Sequence, residues 1–137
     1  MVSLDAKGGI IRMSVTKEEV KIYLDEVKVA VSDKRYTISA REVNHRLFEE
    51  YLITEKDAET ILLSLCVEDF CKIVPNEDPR YPHERLYIFG KDVILIPRFG
   101  EKETTVSLYI KFNKLDGNYT VVISFHKQQY PLKYKFK

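Results

Sequence analysis

Residues 75–85, Pro-Asn-Glu-Asp-Pro-Arg-Tyr-Pro-His-Glu-Arg, hold three of the five prolines in the chain and divide two hydrophobic patterns. Proline lacks the N–H that a sheet interior needs, so this stretch reads as a loop. Before it, apolar residues recur at helical spacing. After it they alternate with polar ones, the period of a strand. Helices followed by strands imply an α+β fold, with about three N-terminal helices packed on a C-terminal, mostly antiparallel sheet of about five strands. At 137 residues the chain is one domain long. We place that domain at 14–137, after a flexible N-terminal arm at 1–13 that shows no period.

Three helix starts are legible. Thr16 with Glu19, Ser39 with Glu42 and Thr54 with Asp57 each have capping spacing. The stripes behind them are Val20, Tyr23, Leu24, Val27 and Val31; then Val43, Leu47 and Tyr51; then Ala58, Ile61, Leu62 and Leu65. The strand candidates are RLYIFG, DVILIP, TVSLYIKF, YTVVISFH and a last amphipathic edge strand, LKYKFK. In that last one Leu132, Tyr134 and Phe136 face inward and the lysines outward, which either extends a phosphate-binding surface or discourages edge-to-edge pairing. Cys66 and Cys71 lack the second ligand pair of a structural zinc site and read as buried thiols. No apolar run approaches the ~20 residues of a membrane span, and no secretory start is evident, so a cytoplasmic location is expected.

The net charge is only +1, but it is unevenly spread. From Thr104 onward there are six lysines and one acid, Asp116. Such a local field attracts polyanions whatever the whole-chain sum. The same region carries the strongest local signal, a hairpin around Asp116-Gly117. A two-residue turn there pairs Phe112 with Val121, Ile110 with Ile123 and Leu108 with Phe125 on an apolar face. The other face then holds Lys111, Tyr109 with Ser124, and Ser107 with His126. Cutting RNA without a metal requires a base for the 2′-hydroxyl, an acid for the leaving 5′ oxygen and cations for the phosphate. His126 suits the base or acid, Lys111 and Lys127 the cations, and Tyr109 a hydrogen-bonding or stacking surface. His83, Arg85 and Arg98, in or near the proline-rich loop, are further candidates for gripping phosphates.

Read with residues 61–74, ILLSLCVEDFCKIV, the hairpin resembles the MqsR family of mRNA interferase toxins, within the RelE-like group. The resemblance spans about residues 18–128, and its motif residues lie in EDFCK, LYIK and VVISFHK. It implies a small α+β fold with helices flanking an antiparallel sheet. It also implies cleavage of mRNA, free or on the ribosome, without metal or cofactor until a cognate antitoxin intervenes. By position, Lys72 and Tyr109 match functional residues of the family. His126 stands where the family has a functional lysine, with Lys127 next, and Glu84 stands where it has glutamine. A carboxylate at Glu84 repels phosphate yet is able to act as a base, and histidine replaces a permanent cation with a titrating one. The expected catalytic set is therefore Lys72, Glu84, Tyr109, His126 and Lys127, with single-stranded RNA or mRNA as substrate and no membrane partner. The rival expectation is a noncatalytic α+β module that binds a nucleic acid or a protein through the same sheet.

Overall fold

The computed structural model describes residues 2–4, 10–12, 15–100 and 102–137. Val2–Leu4 (β1) and Ile10–Arg12 (β2) pair antiparallel within the segment expected as an arm; the rest of that segment lies outside the described residues. Helix α1 spans Lys17–Ser32 and starts as its sequence dictates. The Thr16 hydroxyl oxygen accepts the Glu19 N–H at 3.1 Å. Helix α3, Glu55–Leu63, opens with a full reciprocal box. Thr54 accepts the Asp57 N–H at 3.1 Å, and the Asp57 carboxylate accepts the Thr54 N–H at 2.9 Å. Val20, Tyr23, Leu24, Val27 and Val31 of α1 are buried, as are Ala58, Ile61, Leu62 and Leu65 at α3.

Helix α2, Glu42–Glu50, corrects one expectation. Its N-cap is Arg41, not Ser39, and no side chain caps it. Ser39 still runs beside a strand: its N–H donates to the Val122 carbonyl, while its own carbonyl accepts the Arg41 N–H. The buried face is Asn44 and Leu47, followed by Tyr51 at the C-cap, with Val43 only half-buried.

Five strands form the main sheet. They are Tyr36–Ile38 (β3), Phe70–Pro75 (β4), Arg85–Leu95 (β5), Thr104–Leu115 (β6) and Tyr119–Lys127 (β7), in the order β3-β7-β6-β5-β4. Only β3 is parallel to its neighbour, β7. The fold is thus α+β with a mostly antiparallel sheet, but three strand assignments change. RLYIFG and DVILIP are one continuous strand, β3 and β4 replace two expected non-strand segments, and the LKYKFK tail is not a strand.

The helices cover one face of the sheet. Tyr23 of α1 stacks on Tyr87 of β5 at 3.6 Å, and Phe70, Phe89, Phe112 and Phe125 fill the core beneath the helices. The tail crosses the opposite face. Gln128 Nε2 donates to the Leu108 carbonyl at 3.0 Å, and the Lys135 N–H donates to the Phe70 carbonyl on the edge strand at 3.1 Å. Between them the chain passes over Gly90, where a Cβ would meet the Tyr134 hydroxyl and lie 2.7 Å from Leu132 Cδ1. Gly90 therefore lies mid-strand because another segment approaches it, which is how the strand continues through it. The expected alternation survives: Leu132, Tyr134 and Phe136 are half-buried and the three lysines exposed. Phe136 ends against the Phe70 ring at 5.9 Å.

Candidate functional site

The β6–β7 hairpin positions the site through two local irregularities. Its turn has three residues, Asp116–Asn118, with Gly117 at φ 77° and Asn118 at φ 58°, both left-handed. The register near the turn therefore pairs Phe112 with Val122. Continued unbroken, that register would send His126 to the helix side and Phe125 to the open side, because facing alternates with every residue. A bulge at Ile123 adds the residue that reverses this. Beyond it Lys111 pairs with Ser124, Ile110 with Phe125, and Tyr109 with His126. The expected partnerships of Tyr109 with Ser124 and Ser107 with His126 are corrected by that shift, as are those of Phe112 with Val121, Ile110 with Ile123 and Leu108 with Phe125, while Tyr109, Lys111, Ser124 and His126 do share the open face. Phe125 is fully buried on the other.

Asn44 holds the bulge in place. It is 2% exposed. Its Nδ2 donates to the Ile123 and Ser39 carbonyls, both at 2.9 Å, and its Oδ1 accepts the Phe125 N–H at 2.8 Å. The β7 edge beyond the end of β3 thus finds in one buried amide the partners a neighbouring strand would supply.

The resulting hollow, about 190 Å³, is lined by Arg41, Tyr109, Lys111, Ser124, His126 and Tyr130, among others, and none of its lining residues is acidic. Tyr109 and His126 rings stack with centroids 5.1 Å apart and planes 15° apart. His126 Nδ1 lies 2.8 Å from the Lys127 carbonyl, which only accepts, so Nδ1 carries the proton. In the neutral ring Nε2 is then the basic nitrogen. Burial pushes the His126 pKa below its ordinary value, and the cations of Arg41 and Lys111 push the same way, partly opposed by the bond to Lys127. Burial also lowers the Lys111 pKa, helped by Arg41, and raises that of Tyr109. Arg41 Nη1 donates to Ser124 Oγ at 3.0 Å and forms no ion pair among the described residues.

The remaining expected residues are dispersed. Lys72 is on edge strand β4. It is exposed and pairs in register with Ile88, which pairs with Lys111. It thus shares the open face with His126 but stands three strands from β7, about 14 Å away, and does not line the His126 hollow. Lys127 points to the other face, where it pairs with Glu50 at 2.7 Å and lies over the Tyr51 ring. Glu84 accepts the side-chain amides of Asn76 and Asn113, each at 2.9 Å, in a separate, wider hollow with His83 and Arg85. Arg98 is occupied at the C-terminus of α2, donating to the Phe48 carbonyl at 2.8 Å and the Glu49 carbonyl at 3.1 Å. Cys71 is buried as expected, but Cys66 is exposed.

Arg41 is the residue that sequence reasoning missed. It lies 82 positions from Ile123 and 83 from Ser124, and its role depends on where α2 begins. Among the described residues no group of three or more His, Cys, Asp or Glu is placed to hold a metal ion, and no helix is long and apolar enough to cross a membrane. Comparison with models of protein families, with curated proteins and with solved structures finds no match.

Proposed function

We propose that the chain is a metal-independent endoribonuclease that cuts single-stranded RNA by attack of the ribose 2′-hydroxyl. The observation that carries the reading is the stacked Tyr109–His126 pair set beside Arg41 and Lys111 in a hollow lined by no carboxylate. His126 Nε2 takes the 2′-hydroxyl proton as the 2′ oxygen attacks phosphorus. Arg41 and Lys111 hold the charge that develops on the phosphate oxygens. The P–O5′ bond breaks, and the Lys111 ammonium, made more acidic by burial, supplies the proton to the leaving oxygen. The products are a 2′,3′-cyclic phosphate and a 5′-hydroxyl. Following the resemblance to MqsR-type interferases, we assign it as the toxin of a toxin–antitoxin pair, acting on cytoplasmic mRNA and blocked by its antitoxin. Lys72 then contacts RNA away from the scissile bond.

The test is incubation of the protein with labelled single-stranded RNA in EDTA. Cleavage that falls about 100-fold or more in His126→Ala, the scale of a lost general base, supports the enzyme. Cleavage equal in wild type and variant overturns it. A second reading, a noncatalytic RNA-binding module, is favoured by one observation: the hollow holds a single histidine and no carboxylate. RNA retained intact, with affinity falling steeply as salt rises, is its signature.

A further inference from the structure

A second hollow, about 250 Å³, adjoins the first and shares Arg41 and Lys111 with it. Lys111 stands level with Ile88 and Lys72; two residues along, Val74 and Leu86 give the hollow apolar walls together with Ile123, and Asn76 and Glu77 follow past the end of β4. The Asn76 amide is already engaged: Nδ2 donates to Glu84 at 2.9 Å and Oδ1 accepts the Asp78 N–H at 3.0 Å. Glu77 is exposed and has no hydrogen bond or ion pair among the described residues. Glu77, Arg41 and Lys111 line the same hollow, so the carboxylate and the cationic ridge lie within one site.

This sequence of surfaces, cations then apolar walls then a carboxylate, matches the parts of one nucleotide: phosphate, base faces and base edge. The space falls below the range of pockets for drug-sized ligands and fits a single planar base. An ionised carboxylate only accepts hydrogen bonds, so it recognises a base edge that donates. Cytosine offers its 4-amino group there, whereas uracil, the same ring, offers a carbonyl that a carboxylate repels. His126 lies on the other side of the ridge and holds the attacking ribose, which assigns this hollow to the leaving side of the cut.

We propose that this hollow is a specificity subsite for the base immediately 3′ of the scissile phosphate, and that Glu77 selects an amino-bearing base over uracil. The proposal rests on the nuclease reading and extends it. Its test uses oligodeoxynucleotides carrying one ribonucleotide, the only bond open to 2′-hydroxyl attack, followed by either C or U. Wild type is expected to cut before C roughly tenfold faster than before U, and Glu77→Gln to bring the two within about twofold, because the amide presents a donor as well as an acceptor. Equal cutting before C and U by wild type, or a preference unchanged in Glu77→Gln, overturns the subsite and leaves the nuclease standing. No cutting of either oligonucleotide, nor of all-ribose RNA, overturns both.

Discussion

At the scale of single residues, the proposed cleavage turns on a histidine that is neutral when it acts. Burial and two neighbouring cations hold its pKa below the ordinary value of about 6.5. The rate of RNA cleavage is therefore expected to rise with pH to a plateau, with the midpoint of the rise below the ordinary histidine value. Arg41→Gln removes one of the cations that depress the pKa, so it moves that limb to higher pH while lowering the plateau. A limb that stays in place in Arg41→Gln contradicts the assigned contact. The same shift acts on folding. A histidine with a depressed folded pKa leaves the unfolded chain binding more protons just below pH 6.5, so its contribution to stability is lost as pH falls through that window. His126, Tyr109 and Lys111 were legible in the sequence because alternation alone puts them on one face. Arg41 was not, since no local pattern relates a helix N-cap to a strand some eighty residues later.

At the scale of elements, the β6–β7 hairpin gives Ser124, Phe125 and His126 their expected facing through a different register, while Val122 takes the apolar place expected of Val121. The Asp-Gly signal located the turn, but Asn118 also accepts a left-handed conformation and lengthens it by one residue. From Ser124 onward the bulge at Ile123 restores the facing that alternation implies. Such a bulge leaves backbone groups in need of partners, and a distant asparagine supplies them, which no reading of the strand alone reveals. Asn44→Ala strips buried backbone groups of their partners and is expected to lower stability by about 1–3 kcal/mol in urea unfolding. Cleavage is expected to fall even where the variant remains folded, because the Tyr109–His126 stack depends on the bulge. A stable Asn44→Ala variant with full activity would show that the bulge holds itself. Helices α1 and α3 were readable to their caps, because the Thr16 and Thr54 signals act within one turn. The start of α2 was not, because Ser39 is drawn into bonds with β7 and its neighbours.

At the scale of the whole molecule, the sheet has helices on one face and the tail across the other. Ile88 belongs to the tail side and is nevertheless 1% exposed. Lysine alternation in the tail looked like strand pairing, but Pro131 has no N–H to give a ladder, and the chain crosses the strands instead. Cys71, beside the end of this strap, reports its position. Its thiol is buried and its pKa pushed up to about 11. Gly90→Ala forces a methyl group against Leu132 and Tyr134. It is expected to displace the strap rather than the strand and to speed thiol labelling at Cys71 relative to wild type, measured in a Cys66→Ser background. Labelling unchanged in that variant would mean that the strap does not cover the thiol.

The central claim is that Arg41, Lys111, Tyr109 and His126 form a site that breaks RNA by internal attack. It is tested most directly by the chemical ends of the products. A single-stranded RNA treated with the protein in EDTA and analysed by mass spectrometry is expected to yield 2′,3′-cyclic phosphate and 5′-hydroxyl termini, absent from a His126→Ala digest. Intact RNA, or fragments ending in 3′-hydroxyl and 5′-phosphate, would contradict it.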